Sequence, residues 1–202
     1  FDFSLEGGQM RLVQPMPAPW TLTGLRFIFG PAPAIVLTLP RDFAGQLDAR
    51  TSNAAIDMSG IELWGSLRLH GSNGSLSIAD CAARDMDLHT SNARLKAENL
   101  KAKGDITLRT SNGAIHCRTA SCGGTLTLRT SNGRLSFSEL DAGALSLTTS
   151  NGAISGSVRH GDGEYTVISS TSNGSNNLRS HSYQGPRPLQ ARTSNGAIRI
   201  EF

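Results

Sequence analysis

Basic side chains recur along this chain at nearly equal intervals: Arg50, His70, His89, Arg109, Arg129 and Arg192, with the neutral Thr148 and Ser170 at the two steps before the last. Such a column suits an extended polyanion, because each anionic group it neutralises is held electrostatically and releases counterions. It equally suits a solvated sheet face, where cations keep exposed strands from pairing with other chains. Both readings stand: a wet, edge-protecting face, or a site for an acidic polysaccharide, teichoic or lipid headgroups, with nucleic acid the least fitting partner. Arg94, Lys96, Lys101, Lys103 and Arg134 add positive charge in the middle of the chain, although the net charge is only +3. Arginines on strands about 4.8 Å apart lie within one Debye length, roughly 8 Å, yet in high dielectric they repel by only about 1 kcal/mol or less.

No other grouping has comparable order. Glycoside cleavage needs two carboxyl groups facing each other at a fixed separation, and Asp48, Asp57, Asp87, Glu98, Asp105 and Glu139 stand at different places in the pattern. Asp162 and Glu164 are close together, but in a Gly-Asp-Gly stretch that any loop would use. The histidines never take zinc spacing, and the serines form no nucleophile elbow. His116 reads as a solvated side chain. Cys81, Cys117 and Cys122 make no metal motif. Cys117 stands where its counterparts are Ile, Phe and Leu, the place of a small buried hydrophobe, and a bridge from it to Cys122 is left open. The expectation is a protein that is not an enzyme, with no catalytic residue, metal or cofactor.

What must position the basic column is a repeat. Thr-Ser-Asn-Gly stands complete at Thr110 to Gly113, Thr130 to Gly133, Thr149 to Gly152, Thr171 to Gly174 and Thr193 to Gly196, with near copies at Thr51 to Ala54, Gly71 to Gly74 and Thr90 to Ala93. The asparagines Asn53, Asn73, Asn92, Asn112, Asn132, Asn151, Asn173 and Asn195 are 20, 19, 20, 20, 19, 22 and 22 residues apart. A period near twenty marks a solenoid. Six and four residues before each Asn the chain is mostly apolar (Leu67 and Leu69, Ile106 and Leu108, Leu126 and Leu128), as it is three and five after (Leu76 and Ile78, Ile115 and Cys117). Each repeat therefore reads as two strands with one buried face each, and the basic column lies outward, three before the Asn.

The inward parity slips by one residue at Asn-Gly, so the chain bends there, and these two residue types tolerate a left-handed backbone. A weaker apolar column eight after the Asn (Ile61, Cys81, Leu100, Ala120, Leu140) implies a second corner and a short third strand. Stacked in parallel, the asparagines form a ladder of side-chain amides, with the Thr inward and the Ser outward. Inward threonines argue against an ice-binding face.

Strand, Thr-Ser-Asn-Gly, strand at this period, following a Leu-Pro-ended strand like Val36 to Pro40, resembles the bacterial adhesin domain family, a family of unknown function related to autotransporter adhesin heads, over about residues 35–202. The resemblance implies an all-β, single-stranded, right-handed parallel β-helix of about 20 residues per rung, in the bacterial cell envelope or secreted. It brings no catalytic residues.

Residues 1–34 hold Pro15, Pro17, Pro19, Pro31 and Pro33 and read as an N-terminal cap or a docking arm, in which Phe1, Phe3 and Leu5 alternate as a strand. Residues 35–202 read as the β-helix. The start at Phe1 without a Met reads as a processed product, and no apolar run of eighteen residues is present to span a membrane as a helix. The last repeat ends at Phe202 with Ile198 and Ile200 in core columns and no obvious cover. Either another copy covers it, end to end or head to tail, or Phe202 or residues 181–190 fold over it. The functional expectation is a non-enzymatic envelope scaffold or adhesion module, with acidic-glycan binding through the basic column as the alternative and a polysaccharide-active enzyme third.

Overall fold

The computed structural model describes residues 2–6, 9–13, 36, 38, 39, 45–178 and 184–202, and the chain divides into two units, Phe1–Thr38 and Leu39–Phe202. In the first unit, β1 (Asp2–Glu6) and β2 (Gln9–Val13) form an antiparallel hairpin, with Asp2 opposite Val13 and Glu6 opposite Gln9. Phe1 and the prolines from Pro15 to Pro33 lie outside the described residues, as does the capping role expected for them. Val36, Thr38 and Leu39, the described part of the strand expected from Ile35 to Pro40, are in no strand. Among the described residues of the second unit, regular structure begins at Leu47.

From there the chain runs β3 (Leu47–Thr51), β4 (Ile56–Ser59), β5 (Leu67–Gly71), β6 (Leu76–Ala83), β7 (Met86–Thr90), β8 (Leu95–Ala102), β9 (Ile106–Thr110), β10 (Ile115–Arg129), β11 (Leu135–Thr148), β12 (Ile154–Val158), β13 (Tyr165–Ser170), β14 (Arg187–Arg192) and β15 (Ile198–Glu201). Every pairing among these strands is parallel and joins equivalent places in different repeats. The result is a parallel β-solenoid with about 20 residues per turn. One core column runs Leu47, Leu67, Met86, Ile106, Leu126, Leu145, Leu189 and Val167, each beside the next. Burying such columns rung on rung is what a twenty-residue repeat cannot do alone.

The turn between the two strands is built on the threonine. Thr130 Oγ1 donates to Gly113 O of the neighbouring turn at 3.0 Å and accepts from Gly133 N of its own at 3.2 Å. Thr110, Thr149 and Thr193 make the same donation to Ala93, Gly133 and Gly152, and all are buried. The glycine serves close approach rather than a left-handed backbone. None of the turn glycines has positive φ, whereas a Cβ on Gly133 would overlap Gly113 O. Ala93 carries a Cβ at this place nonetheless. The asparagines form the expected ladder, each Nδ2 donating to the next Oδ1 at 2.7 to 2.8 Å, but on the solvent side of the turn.

Left-handed backbone occurs at the second corner, seven residues after the Asn: Gly60, Asp80, Asn99, Thr119 and Glu139 have φ of 67°, 53°, 50°, 54° and 53°. The strand continues through this kink in β6, β8, β10 and β11, so the expected third strand is the far part of the second. Asn99 Nδ2 bonds Asp80 Oδ1 at 2.6 Å, linking two of these kinks.

The stacking order departs from chain order at the end. β14 pairs with β11 on one side and β13 on the other, and β15 pairs with β12. Asn195 donates to Asn151, and Asn173 to Asn195. The last repeat therefore sits inside, and the one before it forms the outer turn. This corrects the expectation of an uncovered last rung: residues 165–178 cover it. The residues explain the order. The inner repeat brings Leu189, Ala191, Ile198 and Ile200 to the core columns, all buried, whereas the outer one brings Ser169 and Asn176. A polar pair is cheap at an end and costly between two apolar layers. Asn176 Nδ2 bonds Ser169 Oγ at 3.0 Å, and the Asn177 amide takes Ile200 O at 2.8 Å and Ile200 N at 3.1 Å. Skipping a rung needs extra length, which accounts for the two 22-residue steps and the 3-10 turn Asp162–Glu164.

Two outcomes follow for stability. Thr130→Val strands Gly133 N–H and Gly113 C=O in a buried turn and should cost about 2 to 3 kcal/mol, whereas Asn132→Ala, where water replaces the lost bonds, should cost about 1 kcal/mol. Urea melts giving the opposite ranking would refute the turn as described. A β-branched residue with left-handed φ is strained by about 1 to 2 kcal/mol, so Thr119→Gly or Thr119→Asn should raise the melting midpoint; a drop for both would show that Thr119 is held by something other than its backbone.

Candidate functional site

The first sheet, made by β3, β5, β7, β9, the far parts of β10 and β11, β14 and β13, carries the basic column outward. Its register is continuous: Arg50 lies beside His70, then His89, Arg109, Arg129, Thr148, Arg192 and Ser170. Because the last repeat is inside, Arg192 stands two rungs from Arg129 rather than three. The structure thus brings the six basic residues into one line and shortens its far end.

The two halves of the line differ in charge. Arg50 grips Asp48 through Nε at 3.1 Å and Nη2 at 3.0 Å. That hydrogen bond, against slight burial, holds the Asp48 carboxyl below its usual range and raises the Arg50 guanidinium. His70 Nε2 lies 3.7 Å from Asp87 Oδ2, and the His70 and His89 rings meet edge-on with centroids 6.0 Å apart. Among the described residues Arg109, Arg129 and Arg192 have no ion pair, and all three are exposed. Beside them runs the second outward column of the same sheet, Thr107, Thr127, Ser146 and Gln190, which is neutral and rich in donors and acceptors. A depression among Arg68, Arg84, Asp87, Thr107 and Arg109 is shallow and open.

The other cations do not extend the line. Lys96 and Arg118 lie on the second sheet and pair with Glu98. Arg94 and Arg134 precede β8 and β11, against His116, which is half-buried rather than solvated; burial first, then these two arginines, lowers its pKa. Three more of the acids are engaged by other groups. Glu139 faces Arg159 at 3.8 Å and Asp105 Oδ1 accepts Thr125 N at 2.7 Å. Asp162 Oδ1 accepts Gly163 N within its turn. Cys81, Cys117 and Cys122 are free thiols. Burial pushes Cys117 up to about 12 and Cys122 up to about 11, so neither is a nucleophile near neutral pH.

Sequence reasoning missed one cluster. Asp141 Oδ1 lies 2.8 Å from His160 Nε2 and 3.4 Å from Arg187 Nη1, and Arg159 Nη1 is 3.9 Å from its Oδ2. Arg187 Nη1 also donates to Ala142 O at 2.8 Å. These groups stand where the chain skips a rung and where it comes back, so the cluster fastens both limbs of that excursion. The adjacent Arg-His pair after Val158, at the first lengthened step, was its only trace in the sequence.

Comparison with known proteins agrees with this architecture and adds no activity. No curated protein and no solved structure matches the chain. The Toastrack DUF4097 family model matches residues 3–201, which includes the hairpin unit as well as nearly the whole solenoid. A match of that extent is decisive: the chain belongs to the Toastrack DUF4097 family, a domain of unknown function.

Proposed function

We propose that this chain is a non-enzymatic scaffold of the bacterial cell envelope whose first sheet binds an acidic polysaccharide, the contact through which it would act in adhesion. The observation that carries the reading is the line of three arginines, Arg109, Arg129 and Arg192, with no ion pair among the described residues, beside the neutral column Thr107, Thr127, Ser146 and Gln190. Guanidinium groups take carboxylates or sulfates bidentately, and the neighbouring Thr107, Thr127, Ser146 and Gln190 suit sugar hydroxyls. The described part of this face offers no Trp, Tyr or Phe on which bases could stack, which disfavours nucleic acid. A cleaving enzyme is disfavoured because the carboxylates around the face answer cations or backbone amides instead of each other. The envelope setting rests on the family resemblance alone.

A polymer along the solenoid axis meets one turn about every 4.8 Å, so Arg109 and Arg129 engage neighbouring charges and Arg192 one further along. Arg109→Ser with Arg129→Ser should weaken binding to an acidic-polysaccharide column and lower the slope of log affinity against log salt by about 1.4, two released charges at about 0.7 each. Arg118→Ser with Arg134→Ser, both off the line, should change the slope little. Equal slopes for the two double variants would return the line to a merely solvated face.

A further inference from the structure

The repeat nearest the end of this sequence is held from both sides by repeats that precede it. Residues 187–202 are bonded to β11 and β12 on one side and to β13 and Asn173 on the other, and a single connection, from Leu178 to Arg187, leads into them. We propose that the slot between the turns of Asn151 and Asn173 is a strand-acceptor site, and that its partner is a second copy of this chain, which inserts its own residues 187–202 and receives this copy's in return.

The slot specifies its occupant closely. It needs apolar side chains at the places of Leu189, Ala191, Ile198 and Ile200, all buried. It needs a hydroxyl at Thr193 to reach Gly152 O at 3.0 Å, and an amide at Asn195 that bonds Asn151 and Asn173 together. It also needs a free strand backbone at Ile200 to meet the Asn177 amide. A second copy satisfies every one of these.

Chain order supplies the occasion. Both walls of the slot precede the segment that fills it, so during folding an open slot and an unplaced segment coexist in every molecule. The exchanged pair keeps the contacts that residues 187–202 make with the slot, and the two forms differ in the connection that leads into them. A short connection presents its own segment at an effective concentration on the order of mM, so the exchanged form is a minor species at micromolar protein and grows in proportion to concentration. This route to self-association differs from end-to-end stacking, which the polar outer turn with Ser169 and Asn176 opposes. It does not rest on polysaccharide binding, although the exchanged segment carries Arg192 of that face.

Ser146 and Gln190 are register partners across β11 and β14, both pointing outward, at a spacing a disulfide can bridge. One full-length copy carrying Ser146→Cys and another carrying Gln190→Cys would be unfolded, refolded together, and oxidised only after folding, when the native thiols are buried. The expected result is a disulfide-linked pair of the two chains, several-fold above the pair formed by Ser146→Cys with Ser136→Cys, a collision control on the other sheet. Its share should rise roughly tenfold when refolding is done at tenfold higher concentration, within the range where the pair stays minor. A chain carrying both Ser146→Cys and Gln190→Cys should close its bridge internally at low concentration. If that chain closes but the mixed pair never exceeds the control, exchange does not occur; if that chain fails to close, the interleaved slot itself is wrong and the proposal falls with it.

Discussion

The fold depends on how closely one turn can lie on the next at Thr-Ser-Asn-Gly. At Gly133 a Cβ on the present backbone would overlap Gly113 O, so a side chain there requires the local backbone to give, as it does at Ala93. With the approach made, a glycine N–H and the neighbouring glycine C=O are removed from water at the same spot, and a buried pair of this kind has to be satisfied. The threonine hydroxyl satisfies both, accepting from one and donating to the other. Turn after turn is thereby indexed to the same place, and every other column, apolar or charged, inherits that register.

Much of this was legible because the solenoid repeats its reasons. Apolar places six and four before the Asn and three and five after it identify two buried faces, and Leu67, Leu76, Ile106 and Ile115 all occupy them. The identity of the motif residues was legible too, but two of their roles were not. Asn-Gly looks like a left-handed turn, yet the left-handed residues stand seven places after the Asn, where Gly60, Asp80 and Asn99 suit such a backbone but Thr119 and Glu139 break the pattern. The asparagine ladder is exposed, which leaves the threonine as the buried polar group of the turn.

The order of the last two repeats was illegible for a different reason. Reading a repeat assumes that neighbours in sequence are neighbours in space, and nothing local contradicts it at Asn173 or Asn195. The contradiction is comparative: Ser169 and Asn176 are the wrong residues for an interior layer, and Ile198 and Ile200 the wrong ones for an end. The ion pairs were hidden similarly. His70 meets Asp87, and Asp141 meets Arg187, across distances along the chain that depend on which turn lies beside which. Charge balance on the basic line could be judged only after stacking.

Interleaving also links the end of the fold to its outer surface. A core column and the surface column beside it belong to the same strand, so a repeat moved inward to bury Leu189 and Ala191 takes Arg192 with it. In chain order the outer face would run Arg129, Thr148, Ser170, Arg192, three rungs from the first to the last of these cations. In the observed order Arg192 is fixed between Thr148 and Ser170, with a paired strand on each side. The constraint that covers the last repeat with a polar turn therefore also sets Arg192 on a strand paired on both sides, two rungs from Arg129.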